Sequence, residues 1–482
     1  MRVLEQLEPK NVLSFFEDLC AIPHGSGNTK AISDYCVKFA ESRGLEVHQD
    51  GLNNVVIVKP ATPGYEAAPT VIVQGHLDMV AEKTPDSPIN FLTDGLELEV
   101  DGDFIRAKGT TLGGDDGIAV AMALAVLDAK DLAHPRLECL FTIDEETGMD
   151  GAVGFDASIL QGKRLLNIDS EEEGILTVSC AGGAHAAVRI PMTANECALD
   201  SAEIRISGLK GGHSGAEIDK GRANATITLG RVLQALVDEL EVRLVSAEGG
   251  LKDNAIPNAA RTVIALEDGK LPRAQEICAE LQDTFRREYA AADPDVTVTF
   301  TPGTVASQAL TLCDTKKVCC FLGLYPNGIE SMSMDIPGLV QTSCNLGIFK
   351  VNGSGLEGSG SVRSSIASRK QLLLRRIGLL AEGLDGTLCV SGEYPAWEYR
   401  RESHLRDVMC KVYKDQYGQD MKVEAIHAGL ECGLFCGKIP GLDAVSFGPN
   451  LYDIHTVKEH MSISSVQRVY AYLCAVLQAL KD

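Results

Sequence analysis

Residues 70–78 read Thr-Val-Ile-Val-Gln-Gly-His-Leu-Asp, a short β-branched run that ends on a histidine and, two residues later, an aspartate. A run this brief and this continuously apolar is how a strand buried on both faces of a largely parallel sheet reads. Three other segments share the texture: Asn54–Val58 (NVVIV), Leu137–Ile143 (LECLFTI) and Arg164–Ile168 (RLLNI). Between them, Gly117–Asp128 (GIAVAMALAVLD) is long and Ala-rich enough for a buried helix. Asn28–Ser42 spaces its apolar residues three and four apart. Strands alternating with helices predict an α/β domain with a mixed, mostly parallel sheet.

Outward from this region the texture changes near Ala186. Ala186–Met192 and Ser201–Ser207 alternate apolar and polar residues, as half-exposed antiparallel strands do. Ala223–Val237 reads as a helix, and Asn258–Leu266, Val296–Thr301 and Ser343–Val351 as further strands. The α/β texture returns near Pro395, with a helix over Leu405–Tyr417, a strand over Ala444–Phe447 and a terminal helix from Ser464. The expected organisation is therefore one α/β domain, residues 1–185 and 395–482, interrupted by an inserted α+β domain over 186–394. Its half-exposed sheet leaves room for a homodimer. Gly353-x-Gly355-x-x-Gly358 has dinucleotide-loop spacing, but strands on both sides and no following helix predict a hairpin turn.

Composition narrows the function. The chain has 482 residues, 44 Lys plus Arg against 67 Asp plus Glu, and a formal net charge of −23. Such a surface repels phosphate backbones and anionic lipid, so nucleic acid and membrane are not expected partners. The longest apolar stretch, Ile118–Leu127, falls well short of the ~20 residues a span requires. The opening MRVLEQLEPKNVLSFFEDLC lacks a basic-plus-apolar signal. The 15 cysteines are odd in number and form no CxxC framework, which points to reduced thiols in a cytoplasm.

Histidines and carboxylates gather at the ends of the α/β strands. His76 closes the first run, where ligands bind in open α/β sheets, and Asp78 is placed to hold its second ring nitrogen. Asp115 and Asp116 sit among three glycines in TTLGGDDG, just before the Ala-rich helix. An N-cap accounts for one aspartate there but not for two. Glu145 and Glu146 follow the strand LECLF as a solvated pair or as two groups that split metal binding and general-base work. Asp169 follows RLLNI, and His455 follows the strand AVSF. His76, Asp115, Glu146, Asp169 and His455 form a nitrogen and oxygen donor set that suits zinc or cobalt, manganese less so. Five ligands exceed the usual three of one catalytic zinc and point to two metals sharing a carboxylate.

The segments GHLDMV, TTLGGDDG, DEETGMDGA, NIDSEEEG, GLKGGHSG, NAIP and IHAGLECG closely resemble the aminoacyl-histidine (Xaa-His, or cytosolic non-specific) dipeptidases. These belong to the two-zinc metallopeptidase family that includes aminoacylase. The likeness runs from Gly25 to the last helix. It implies a cytoplasmic two-zinc enzyme that hydrolyses unblocked dipeptides and favours C-terminal histidine, with a small peptide as its partner and Co2+ or Mn2+ as possible substitutes. By the same resemblance, His76 and Asp169 are zinc ligands, Asp115 bridges, and Glu146 and His455 complete the set. Glu145 is the general base and Asp78 a positioning partner of His76. His213, in the inserted lid, steadies the oxyanion. Asn254, Arg363, His427, Gly429 and Glu431 match substrate-side positions.

Two departures stand out: Asp116 where relatives usually carry Asn, and Val457 where many carry Pro. The alternatives are an N-acyl amino acid deacetylase using the same metals, or a non-catalytic binding protein on this fold. Glu171–Glu173 reads as a solvated loop and Trp397 as packing. His24, His48, His134, His185, His404 and His460 read as surface or core residues.

Overall fold

The computed structural model describes residues 2–481. They divide into two compact units, one of residues 2–179, 399–425 and 430–481, the other of Cys180–Glu398 and Ile426–Gly429. Each unit carries its own large sheet.

The first unit is built on an eight-stranded mixed sheet. Its order is Glu46–Gln49, Val55–Lys59, Leu137–Thr142, Val71–His76, Arg164–Asn167, Asp443–Ser446, Ile175–Cys180 and Lys422–Ile426. The four central strands, Leu137–Thr142, Val71–His76, Arg164–Asn167 and Asp443–Ser446, run parallel, so their carboxyl ends emerge on one side. Val55–Lys59 and Glu46–Gln49 close one edge antiparallel. Every residue of Val71–His76, Leu137–Thr142 and Asp443–Ser446 is buried. That explains the apolar runs Val71–Val73, Cys139–Phe141 and Ala444–Val445 within them. Glu138 is the exception inside LECLF. Its buried carboxylate takes the Gln161 and Gly162 N–H groups at 2.9–3.0 Å and the Arg136 guanidinium, so no unpaired charge is enclosed.

The Ala-rich helix spans Gly114–Asp128 and starts three residues before the apolar run suggests. Residues Gly114 to Leu127 are all buried, as a helix with no polar face must be. Asp115 and Asp116 depart from helical dihedrals at its first turn, and the peptide between them is cis.

The second unit carries a ten-stranded antiparallel sheet. Its long path runs Thr297–Pro302, Ala194–Ser207, Ala260–Leu266, Arg243–Gly249, Val340–Asn352, Gly355–Ser364, Gly182–Pro191 and Thr387–Tyr394. One face packs on helices: Ile204, Ile206, Ile264, Leu244, Leu346, Val188 and Ile190 join Leu229, Leu233, Ile277, Phe321 and Ile377 in a single core. The other face is open, and cross-strand neighbours Arg205, Arg261, Glu248, Lys350, Glu357 and Arg189 form one exposed charged row across it. The Gly353 segment is a hairpin turn, with Asn352 paired to Gly355. The insertion contains more helix than its sequence texture suggests. Besides Ala225–Glu239 it holds Leu271–Glu288, Leu312–Leu324 and Ala367–Gly383, whose charged outer faces obscure the apolar stripe. No helix among the described residues is long and apolar enough to cross a membrane.

Candidate metal centre

The parallel strands deliver their side chains to one place. His76 is the last residue of its strand, Glu145 and Glu146 lie three and four residues beyond Thr142, and Asp169 two beyond Asn167. Asp115 comes from the broken first turn of the buried helix. His455 comes from the segment between Leu451–Tyr452 and His460–Ser462.

Asp115 is the hub. Its Oδ1 lies 3.1 Å from His76 Nε2 and its Oδ2 3.1 Å from His455 Nε2. On the His76 side, Asp169 Oδ1 stands 3.6 Å from the same Nε2. On the His455 side, Glu146 Oε1 stands 3.0 Å from the imidazole nitrogen. Ligand-type atoms cluster within 4.8 Å of one another in three overlapping sets: His76 with Asp116 and Asp169, His76 with Glu145 and Glu146, and Asp115 with Glu146 and His455. The structure thus brings together all five residues read from the sequence as ligands, and the sixth read as a base.

The donor set fits divalent cations. His76 Nδ1 faces the Asp78 carbonyl oxygen at 3.0 Å. A carbonyl only accepts, so Nδ1 holds the proton and Nε2 turns a lone pair toward two carboxylates. Glu146 Oε1 is buried and faces the His455 imidazole nitrogen at 3.0 Å. Imidazole nitrogens and carboxylates that converge this closely are a donor set that a cation settles. Without one, the cluster draws protons instead. Burial would lower the His76 pKa, but Asp115, Asp169 and Asp78 raise it well above the ordinary value. Hydrogen bonds to Asp115 and Glu146 push His455 up to about 10. Burial, together with Asp169, Glu431 and Glu146, pushes Glu145 up to about 9.

Asp78 does more than hold His76. Its buried carboxylate lies 3.4 Å from His76 Nδ1, and it accepts the Ser26 hydroxyl at 2.8 Å and the Glu145 and Glu146 N–H groups at 3.0 and 3.4 Å. One side chain therefore fixes both the histidine and the glutamate pair. Asp116 turns behind the cluster, where its Oδ2 accepts the His76 N–H at 3.1 Å. This approach requires glycine at 75, because a Cβ there would stand 2.5 Å from Asp116 Oδ2 and 2.8 Å from the Ala119 methyl.

Glu431 lies beneath the cluster rather than on an open surface. It is fully buried, and its Oε2 accepts from Gln74 at 2.6 Å and Thr142 at 2.7 Å, while Gln74 in turn accepts from Asn167 at 2.6 Å. Burial pushes its carboxyl up to about 7. The resemblance puts Glu431 on the substrate side, and the structure places it among the strands behind Glu145. Oε2 thereby links the strands that lead into His76 and Glu145, while Oε1 is buried with no hydrogen-bond partner among the described residues.

The other substrate-side residues lie in the second unit. His213 Nδ1 accepts the Gly215 and Ala216 N–H groups at 3.2 and 3.0 Å, so Nε2 carries the proton. Burial, followed by Arg363, lowers its pKa, keeping a neutral donor. Arg363 donates to the Tyr394 hydroxyl at 3.0 Å. His427 Nε2 meets Ser343 Oγ at 2.7 Å. Gly429 lies against the Tyr394 ring, where a Cβ would come within 2.9 Å. Gly215 sits close to His213, Arg363 and the His427 carbonyl, so these three predicted residues share one neighbourhood. Asn254 is exposed, and its carbonyl accepts the Ser214 N–H at 2.9 Å.

Sequence reasoning missed Tyr394 and Glu459, neither of which lies in a motif. It also missed the pair of His185 Nδ1 with Asp253, 2.6 Å apart. Of the three glutamates read as solvated, Glu173 is held by the Arg468 guanidinium at 2.6 and 2.7 Å.

Histidines and carboxylates converging around a shared aspartate, at the carboxyl ends of the parallel strands of a mixed sheet, suit a metal-dependent hydrolase. The chain matches the family described as peptidase family M20/M25/M40 over residues 72–479 and belongs to it. It is 34% identical over 482 residues to the cytosol non-specific dipeptidase of Escherichia coli, covering 100% of this chain and 99% of that protein. Among solved structures it is similar to aminoacylhistidine dipeptidase from Vibrio alginolyticus, with a TM-score of 0.95 and 36% identity over 99% of this chain and 98% of that one. Aminopeptidase PepT from Bacillus cereus shares the fold at a TM-score of 0.56 and 16% identity, covering 99% and 100% of the two chains.

Proposed function

We propose that this chain is a cytoplasmic dipeptidase that binds two divalent cations, zinc by preference of the donor set, and cleaves unblocked dipeptides, favouring a C-terminal histidine. The observation that carries the reading is the Asp115 carboxylate, with one oxygen 3.1 Å from His76 and the other 3.1 Å from His455. Full-length similarity to a non-specific dipeptidase and an aminoacylhistidine dipeptidase supports the substrate class.

His76, Asp115 and Asp169 would hold one cation, and Asp115, Glu146 and His455 the other. When bound, such cations polarise a scissile carbonyl and lower the pKa of water toward neutrality. Glu145 accepts the attacking water's proton on its carboxylate and passes it to the leaving amine. Asp78 holds the Glu145 backbone and the His76 ring in place. By the resemblance, His213 would offer its Nε2–H to the oxyanion, in its own centre or a partner's, a contribution of about 3 kcal/mol. Arg363, His427, Gly429 and Asn254 would bind the substrate, with Arg363 the natural partner for a terminal carboxylate. A homodimer through the insertion belongs to the same reading and is checked by sedimentation velocity.

The test is histidine release from glycyl-histidine and β-alanyl-histidine by protein stripped with a chelator and then restored with Zn2+. Release that vanishes on stripping and returns with metal supports the reading. No release from protein shown to carry metal refutes it.

A further inference from the structure

The buried helix Gly114–Asp128 begins without a side-chain cap of its own. The first N–H groups of any helix need acceptors. Here they come from a residue more than 340 positions later in the chain. Glu459 is 3% exposed. Its Oε2 accepts the Leu112 and Gly113 N–H groups at 2.8 and 3.2 Å, and its Oε1 those of Gly114 and Asp115 at 2.8 and 3.4 Å. A carboxylate on the positive end of a helix is favourable, and four bonds to one carboxylate leave it little freedom.

What Glu459 is attached to gives this cap its meaning. It lies four residues after His455, in the turn that ends at the strand His460–Ser462. That turn is held by bonds from the Glu459 N–H to the Thr456 carbonyl at 3.1 Å and from Thr456 Oγ1 to the Asp453 carbonyl at 2.7 Å. His455 has a φ of 61° and Asp453 one of 51°, left-handed conformations that persist only where the surroundings impose them. The His455 side chain is 46% exposed, so packing alone does not place it.

We propose that Glu459 is a positioning residue which sets His455 against Asp115, and thereby fixes the spacing of the shared metal centre. One carboxylate grips the backbone of the Asp115 turn while its own backbone closes the His455 turn. The two ligands it joins lie 3.1 Å apart. This inference rests on the metal reading above.

The experiment titrates chelator-stripped protein with Co2+, in competition with a chelator, and follows visible absorption for the wild type, Glu459→Gln, His455→Ala and the double variant. Glu459→Gln keeps the size of the side chain but removes the charge and half of its acceptors. It is expected to weaken Co2+ binding about 10–100-fold, the usual effect of removing an outer partner of a metal site, and to change the absorption band of the bound ion. In the His455→Ala background the same substitution should change affinity less than threefold, because the ligand it positions is gone. Wild-type affinity and spectrum in Glu459→Gln would overturn the inference. So would an equal loss with and without His455, which marks a plain helix cap. If Glu459→Gln is insoluble, Glu459→Asp, which keeps the charge but shortens the reach, is read in the same way. A wild-type chain that takes up no Co2+ refutes the metal reading itself, an outcome distinct from failure of this one.

Discussion

Replacing Asp78 with asparagine should slow turnover sharply without emptying the metal centre. The carboxylate at 78 receives the Ser26 hydroxyl and the Glu145 and Glu146 N–H groups at 2.8, 3.0 and 3.4 Å, and its side chain is fully buried. Asparagine keeps one oxygen for these donors and turns an NH2 group toward the rest, so at least one charge-assisted hydrogen bond is lost. Such bonds contribute about 1.5–3 kcal/mol. Each 1.36 kcal/mol is a factor of ten in rate. If the loss falls on the placement of Glu145, kcat drops about 10–150-fold. The ring of His76 keeps its 3.0 Å contact to the backbone carbonyl of residue 78, so metal content should be unchanged and KM should move less than threefold. Steady-state kinetics on glycyl-histidine, with metal content measured on the same preparation, reads all three quantities. A kcat within threefold of wild type at full metal content would refute the argument that Asp78 positions the base. An effect confined to KM would refute it equally.

Glu145→Gln should bind metal as the wild type does and retain less than about a tenth of its turnover, and more activity than that removes Glu145 as the base. Gly75→Ala forces a methyl to within 2.5 Å of Asp116 Oδ2 and 2.8 Å of Ala119. This overpacking should cost about 1–3 kcal/mol in denaturant unfolding of the metal-free protein, and an unchanged midpoint would contradict the packing. His427 tests the electrostatics of the second unit. Burial and Arg363 push its pKa from 6.5 down to about 4, so between those values the unfolded chain binds a proton that the folded chain does not. Stability is unaffected well above pH 6.5, falls as pH drops through it, and carries the full penalty of about 3 kcal/mol near pH 4. Thermal unfolding of His427→Gln should show a flatter dependence between pH 7 and 4.5, and a parallel dependence would contradict the assignment.

The side chains that converge on the candidate centre were legible because parallel strands advertise themselves. Val71–His76 and Leu137–Thr142 are buried along their whole lengths, so a histidine or paired glutamate at their ends interrupts an otherwise apolar text. His455 and Asp115 were legible through the glycines and turns around them. Glu459 was not. It lies in Thr456-Val457-Lys458-Glu459, where a glutamate reads as surface, and nothing local records that it caps a helix far back in the chain. The partners of Glu431 were hidden for a related reason. It stands beside a glycine-containing segment, yet its side chain descends to Gln74 and Thr142 and never reaches solvent. The helices of the insertion escaped because Leu271–Glu288 and Ala367–Gly383 carry charges between their apolar positions, and only the packed sheet decides which face turns inward.

The most direct test of the account is the number of metal ions that depend on Asp115. Stripped protein titrated with Co2+ should bind two equivalents per chain. Asp115→Ala should lose both, because each of its oxygens faces a different histidine, whereas His455→Ala should lose one. A wild-type stoichiometry of one, or an Asp115→Ala variant that still holds a full equivalent at wild-type affinity, would contradict a centre built on a shared aspartate.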